Sequence, residues 1–213
     1  MEKLKFNIID IDRDIDRFID KIENFTNVRL PKIYAKNSKI VGAFLQGNLV
    51  GGYMLVTKPQ FRSLLFVPDE IKRSHSFFKI DTYEMLEVNG VWLGPSIKTP
   101  KMQFQFWMKL LVDVFLQKKK YLLLMSSLKN KNIEYLHSLA SPEILYEGNP
   151  NLMFGDVSHE LIRVGYTTRF KAIMNIPKYW MELLDRERRA KAFTRQRKLA
   201  RPHPFSMDSN VAQ

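Results

Sequence analysis

Residues 83–148 decide the fold, and their central part, residues 90–139, reads GVWLGPSIKTPKMQFQFWMKLLVDVFLQKKKYLLLMSSLKNKNIEYLHSL. In order, the pattern predicts a strand, a proline-bearing loop, a long helix, a second strand and a short helix with an asparagine at its start. The first strand spans residues 83–93 and is broken near Asn89-Gly90. A β-strand, a crossover helix and a second β-strand in this order favour parallel pairing of the two strands.

The long helix has a clear start. Thr99 is a favourable N-cap residue and Pro100 suits the first helical position, so the helix runs from there to about Lys119. Its polar residues lie four apart in one narrow stripe, which predicts burial on most of its circumference. The stripe consists of Gln105, Lys109, Asp113 and Gln117. Residues 121–127, which follow, form a continuous apolar run of the kind found in central, parallel strands.

The flanking segments predict further strands around this centre. Residues 40–46 and 49–57 form a hairpin around Gly47-Asn48, a dipeptide typical of tight two-residue turns. Apolar residues recurring at intervals of three and four predict a helix over residues 13–25. The other expected strands are residues 4–11, 63–66, 144–147 and 159–174. The predicted fold class is α/β, with one central mixed sheet of six or seven strands flanked by helices.

Composition limits the chemistry. The chain has 213 residues, of which 45% are hydrophobic, and it contains no cysteine. A disulfide framework, thiolate metal sites and a cysteine nucleophile are therefore excluded. The four histidines are not spaced as metal ligands, so we expect no metal. With no signal-peptide pattern and no apolar run of membrane-spanning length, a cytoplasmic location is expected.

The loop Gly94–Gln103 and the segment that begins at Asn130 together resemble the acyl-coenzyme A binding core of the GNAT superfamily of N-acyltransferases. The resemblance covers residues 4–174. The family's pyrophosphate loop carries glycines whose backbone N–H groups approach the phosphates. Here Lys98 keeps the positive charge of that loop, while Lys101 and Gln103 replace the glycines. Lysines would contact phosphates as point charges.

The resemblance also implies a set of site residues. Acyl-CoA, either acetyl-CoA or a longer form, would lie in a cleft between the two parallel strands. Its expected contacts are Leu93, Gly94, Lys98, Lys101, Gln103, Ser126 and Asn130. Asn130 resembles the asparagine that binds the pantetheine arm, and His137 takes the place of a tyrosine that protonates the leaving thiolate. Histidine suits that role because its ordinary pKa is near neutrality.

The remaining catalytic candidates lie on the first strand. The break over residues 88–91 would supply a free N–H for the thioester carbonyl. Glu84 and Glu87 are the candidate bases for the amine. Because side chains alternate along a strand, these two glutamates would face opposite sides, and one of them would face the cleft.

The resemblance implies an N-acyltransferase that moves an acyl group from an acyl-CoA or acyl-carrier thioester to an amine. Two alternatives stay open: a catalytically inactive GNAT-like binding or regulatory module, and a protein that engages nucleic acid. The sequence leaves open the acyl acceptor, the acyl chain length and assembly as a homo-oligomer.

The C-terminal part carries much of the net charge of +12. Residues 1–176 are predicted to form the GNAT-like domain, and residues 177–213 a helix followed by a basic tail. Residues 186–201 hold eight Lys or Arg and a single acid, Glu187. Such a run suits an anionic partner, and it also suits a solvated tail. We expect the helix to dock through its first turns and to be exposed from about residue 186.

Overall fold

Seven strands form one mixed sheet in the order β1-β2-β3-β4-β5-β7-β6. The structure, a computed structural model, describes residues 3–26, 29–129, 131–150 and 161–199. All neighbouring strands are antiparallel except β4 and β5, which are parallel. The strands are β1 Lys5–Ile9, β2 Lys39–Leu45, β3 Asn48–Val56, β4 Met85–Leu93, β5 Tyr121–Ser127, β6 Glu143–Gly148 and β7 Ile162–Thr168. The predicted α/β fold with a seven-stranded mixed sheet is confirmed.

The helices cover both faces of the sheet. They are α1 Asp12–Thr26, α2 Lys32–Lys36, α3 Arg62–Leu65, α4 Asp69–Ser74, α5 Pro100–Leu116, α6 Lys131–Ser138, α7 Arg169–Met174 and α8 Ile176–Leu199. On one face α1 packs its apolar stripe against Trp92 and Met54. On the other face α5 packs against Leu86 and Leu122. The β4–α5–β5 unit therefore has its crossover helix on the face opposite α1.

The hairpin prediction is confirmed, with its turn one residue earlier than expected. Strands β2 and β3 pair antiparallel up to Leu45 and Asn48, so Gln46 and Gly47 form the turn. Both turn residues have positive φ angles, 52° and 81°. This is the backbone of a type I′ turn, whose twist matches that of the strands. Asn48 is consequently the first residue of β3.

Several predicted elements were wrong in type or length. Residues 63–66 were predicted as a strand, but Arg62–Leu65 form the short helix α3. The last strand ends at Thr168 instead of residue 174, because the Thr168 hydroxyl accepts a hydrogen bond from the Lys171 N–H and caps α7. Glu84 was placed on the first strand of the core, but it belongs to a 3-10 turn, Thr82–Glu84, that precedes β4.

Helix α5 buries part of its polar stripe. The Tyr53 hydroxyl of β3 donates to the Asp113 carboxylate at 2.6 Å, and both residues are buried. Lys109 donates to the other carboxylate oxygen, also at 2.6 Å. Phe115 and Leu116, by contrast, are about half exposed. The predicted polar stripe is therefore not wholly at the surface, because the Asp113 carboxylate is held in the core by two donors.

Helix α8 packs on the domain through its first turns, as predicted. The Trp180 ring lies edge-on against Phe104 of α5, with centroids 4.6 Å apart. Further along, Arg188, Lys191 and Phe193 are exposed. Exposure beyond residue 186 is confirmed for the side chains that the structure describes there. Among the described helices, none is apolar over a length that would cross a membrane.

The Tyr53–Asp113 hydrogen bond yields a stability prediction. Tyr53→Phe leaves a buried carboxylate without one of its two donors, and we expect the free energy of unfolding to fall by about 2 kcal/mol. Urea denaturation would measure the loss. Tyr83→Phe, at a tyrosine that is 68% exposed, is the matched control and should change stability little. Equal effects of the two substitutions would show that the buried hydrogen bond contributes nothing.

Candidate functional site

The two parallel strands pair only at their start. Met85–Glu87 of β4 lie beside Tyr121–Leu123 of β5, and no further pairs follow, although β4 continues to Leu93 and β5 to Ser127. Both strands stay paired on their outer edges, β4 with β3 and β5 with β7. The sheet therefore opens into a V at the carboxyl ends of β4 and β5. The edge of β4 that faces β5 carries no ladder pairing from Val88 onward.

A bulge in β4 accompanies this opening. Strand β3 pairs Gly52 with Trp92 and Met54 with Asn89, so β4 has one residue more than β3 in this interval. Gly90 has a φ angle of +57°, which glycine adopts readily. A Cβ atom at this position would also lie 2.7 Å from the Ile22 side chain of α1. The predicted break at Asn89-Gly90 is thus a bulge inside a continuous strand.

The V contains a cavity of about 1160 Å³ that reaches both faces of the sheet. On the α1 face its wall includes Phe25, Arg62, Glu87, Asn89 and Trp92. On the α5 face its wall is made mostly of apolar side chains of α5, β5, α7 and α8. Leu110, Val114, Leu122, Leu124, Ile173 and Leu183 represent this second wall. The cavity therefore has a polar half and an apolar half that meet between β4 and β5.

Glu87 organises the polar half. Its carboxylate accepts hydrogen bonds from the backbone N–H groups of Arg62 and Ser63, both at 2.8 Å. It also accepts from the Tyr34 hydroxyl at 3.0 Å and from the Asn89 amide at 3.2 Å. Burial raises the pKa of Glu87, and the hydrogen bonds counter part of that rise. With four protein donors, this carboxylate holds α3 and Asn89 in place at the cavity wall.

His137 lies on α6 and lines the cavity together with Ser126 of β5. Burial lowers the pKa of His137 to about 4. At neutral pH the imidazole is therefore uncharged, with one ring nitrogen as donor and the other as acceptor. Ser126 is only 6% exposed, and its neighbour Ser127 also borders the cavity.

The loop after β4 is anchored at both ends. The Gly94 N–H donates to the Val50 carbonyl at 2.7 Å, and the Ile97 N–H donates to the Gly94 carbonyl at 3.0 Å. The Thr99 hydroxyl accepts from the Met102 N–H at 3.3 Å and caps α5, as predicted. Lys98 and Lys101 are exposed at this helix start. A phosphate group at this place would therefore meet lysine side chains.

The structure brings some of the predicted site residues together and not others. Leu93, Ser126, Glu87 and His137 line the cavity. Gly94, Lys98, Lys101 and Gln103 lie outside it in the adjoining loop and helix start, where the Gln103 amide donates to the Ile97 carbonyl at 3.4 Å. Glu84 lies outside the cavity, beside Lys120 at 3.7 Å. Asn130 lies outside the described residues.

Sequence reasoning missed several lining residues. Asn89, which lines the cavity, and Tyr34, which does not line it but hydrogen-bonds to Glu87, were not singled out as site side chains, because only the fold brings them to that carboxylate. The contribution of α8 could have been found, since Ile176, Tyr179 and Leu183 are spaced by three and four and all line the cavity. Among the described residues, no group of His, Asp and Glu is arranged to hold a metal ion.

Comparison with solved structures identifies the fold. FeeM, an N-acyl amino acid synthase from uncultured soil microbes, matches with a TM-score of 0.56 and 11% identity over 79% of this chain and 92% of its own. The spermidine/spermine N-acetyltransferase SpeG from Vibrio cholerae matches with a TM-score of 0.53 and 14% identity, over 80% of this chain and 96% of its own. An acetyltransferase of the GNAT family from Streptococcus pneumoniae matches with a TM-score of 0.51 and 9% identity, over 78% of this chain and 99% of its own.

No protein-family model matches the sequence, and no curated protein matches it either. At these identities the structural likeness shows the fold alone. The chain has a divergent GNAT fold, as the sequence resemblance predicted.

The lowered pKa of His137 makes stability depend on pH. Between pH 6.5 and 4 the histidine binds a proton in the unfolded chain and not in the folded one, so stability falls as the pH falls. Below pH 4 the loss in the free energy of unfolding levels off at about 3 kcal/mol. We expect His137→Gln to flatten this part of the stability curve, measured by urea denaturation at several pH values. An unchanged slope would show that the ring is protonated in the folded protein.

Proposed function

We propose that this protein transfers an acyl group from a thioester to an amine. The single observation that carries the proposal is the V between β4 and β5, with its cavity at the carboxyl ends of two parallel strands. In open sheets, ligands bind at such ends. A thioester in the V would have unpaired backbone on one side and the His137 imidazole among the groups around it.

The backbone of β4 is suited to polarise the thioester. From Val88 to Leu93 this strand has no ladder partner on the side of β5. An N–H group on that edge would donate to the carbonyl oxygen and stabilise the negative charge that develops there when the amine attacks. The bulge at Gly90 lies within this unpaired stretch, while β3 pairs with β4 on its other edge.

His137 is suited to transfer the proton. The neutral amine attacks the thioester carbon, a C–N bond forms, and the C–S bond then breaks. The leaving thiolate takes a proton from the imidazole N–H, while the other ring nitrogen accepts the proton that the amine loses, directly or through water. The products are an amide and a free thiol, and the imidazole returns to its neutral form.

The polar half of the cavity is suited to the acceptor. Asn89 and Arg62 line it, held by Glu87. The indole N–H of Trp92 is buried and has no protein acceptor among the described residues, so it can donate to a ligand. By their names, FeeM forms N-acyl amino acids and SpeG acetylates spermidine and spermine. An amine acceptor is common to both names and fits this half.

Glu87 acts in this proposal as a positioning residue. Its four hydrogen bonds leave the carboxylate occupied by protein donors, so it keeps Asn89 oriented instead of taking the proton itself. Glu84 takes no part in the proposal because it lies beside Lys120, away from the cavity. When the donor is a CoA thioester, Lys98 and Lys101 would hold its phosphates at the start of α5.

A binding or regulatory module is the second candidate. The observation that favours it is the replacement of two loop glycines by Lys101 and Gln103, which puts side chains where a backbone cradle would approach the phosphates. Such a module would bind a thioester in the V without turning it over.

Thioester binding is the first test. Acyl-CoA at 100 times its dissociation constant should stabilise the protein by about 2.7 kcal/mol, a rise in melting temperature of roughly 5–10 °C. Thermal shift with acetyl-CoA and longer acyl-CoA measures this. Lys101→Ala should weaken acyl-CoA binding up to about fivefold, because an exposed ion pair contributes at most about 1 kcal/mol.

A thioester without phosphate groups separates binding of the acyl part from binding of the CoA phosphates. Acyl-N-acetylcysteamine should bind the parent and the Lys101→Ala variant equally, and Lys21→Ala, an exposed lysine on α1, serves as the control for acyl-CoA. If Lys101→Ala binds acyl-CoA as well as the parent does, the phosphate role is wrong. If the parent binds no thioester, acyl transfer is wrong.

Turnover is the second test and tells enzyme from module. His137→Gln should lower the rate of thiol release by about 100-fold, a loss typical of a proton-transfer group, and leave the dissociation constant of the thioester within twofold. His75→Gln, outside the cavity, is the matched control. Binding without thiol release in the parent, with a panel of amino acids and polyamines as acceptors, would favour the module.

A further inference from the structure

The two halves of the cavity differ in what they can hold. The half on the α1 face carries Arg62, Glu87 and Asn89. The half on the α5 face is mostly apolar, and its polar groups include Ser126, Arg169 and the Tyr179 hydroxyl. Burying polar groups without partners is costly, so a polar acceptor belongs in the first half. The second half is left for an apolar part of the donor.

Helices α7 and α8 contact α5 at both ends of this second half. At one end the Arg169 guanidinium lies 5.6 Å from the centroid of the Phe115 ring. At the other end Trp180 packs edge-on against Phe104. Arg169 and Trp180 are eleven residues apart, as are Phe104 and Phe115. Residues 169–180, which pass from α7 into α8 at Asn175, therefore run antiparallel to α5, and the two contacts are about 16 Å apart along α5.

Helix α8 is also attached to α6 on the other arm of the V. Glu182, only 9% exposed, lies in hydrogen-bonding contact with Tyr135 of α6. It also pairs with Arg186 at 2.6 Å and Arg189 at 3.0 Å. Helix α8 thus bridges the helices that follow β4 and β5. Its Tyr179 and Leu183 close the apolar half from outside.

The length of this chamber follows from the elements that line it. Its lining on α5 extends from Trp107 to Phe115, and on β5 from Leu122 to Ser126. Eight helical steps and four strand steps each give about 12–13 Å. An extended hydrocarbon chain advances by about 1.25 Å per carbon, given C–C bonds of about 1.5 Å. The chamber therefore matches a chain of about ten carbons.

The volume supports the same conclusion. An engineered apolar cavity of about 150 Å³ holds one benzene molecule. The whole cavity here, about 1160 Å³, is several times larger. An acetyl group would leave most of the apolar half unfilled, and the contacts that its walls could make would be lost.

We propose that the chamber between α5 and α8 holds the acyl chain of the donor, an unbranched apolar chain of about ten carbons. Its floor lies at Phe115 and Arg169, with Ala172 beside it, and α8 forms its outer wall. This inference rests on the proposed acyl transfer and names its substrate class. Ala172 is a residue that determines chain length, because its small side chain leaves room for the end of the acyl chain at the floor.

The experiment measures dissociation constants for a series of straight-chain acyl-CoA thioesters, from acetyl to tetradecanoyl, by titration calorimetry. Each methylene buried should tighten binding by about fourfold. We expect affinity to rise up to about ten carbons and then to level off or fall. A dissociation constant independent of chain length would overturn this inference and leave acyl transfer standing. If no acyl-CoA binds, both fail.

Ala172→Phe tests the floor. The added ring should shorten the chamber, weaken decanoyl-CoA binding by at least tenfold and leave butanoyl-CoA binding within twofold. Ala192→Phe makes the same substitution at an exposed position of α8 and should change neither. Equal weakening of both thioesters by Ala172→Phe would overturn the assignment of the floor. If that variant does not fold, the chain-length profile of the parent still decides the proposal.

Discussion

The early end of pairing between β4 and β5 is the constraint on which the rest of the structure depends. Each strand is held on its outer side, so the two can separate without leaving the sheet. On β4, the buried carboxylate of Glu87 marks the last paired position. It is fixed there by the N–H groups of Arg62 and Ser63. The residue at the last paired position thus also anchors α3 and sets the polar wall.

A feature could be predicted from the sequence when the residues that determine it lie close together along the chain. The Thr99 cap, the type I′ hairpin and the apolar run of β5 depend on neighbouring residues, and all were predictable. The short helix at Arg62–Leu65 was predicted as a strand because its residues are apolar and locally ambiguous. Its conformation depends on Glu87, more than twenty residues away. The roles of Tyr34 and Asn89 could not be predicted for the same reason, because Tyr34 lies more than fifty residues from Glu87 and Asn89 along the chain.

Helix α5 shows that a polar stripe in the sequence does not tell whether its residues face solvent or the core. The stripe was visible in the sequence, but Asp113 lies in the core because Tyr53 and Lys109 supply its donors. A buried carboxylate with two short hydrogen bonds is tolerated, whereas an unpaired one is expensive. Fixing α5 in this way turns Leu110 and Val114 toward the cavity. The polar pair therefore determines which apolar side chains the site receives.

Two contributions to donor binding can be compared: burial of the acyl chain, and ion pairs between the loop lysines and the CoA phosphates. Lys98 and Lys101 are exposed, and each exposed ion pair is worth at most about 1 kcal/mol. Burying about eight methylenes of a ten-carbon chain at about 0.8 kcal/mol each gives roughly 6 kcal/mol, an upper estimate. The acyl chain would therefore dominate affinity. Since the phosphates would contribute little, lysine and glutamine at positions 101 and 103 are compatible with acyl transfer, and the site would select the acyl group more strongly than its carrier.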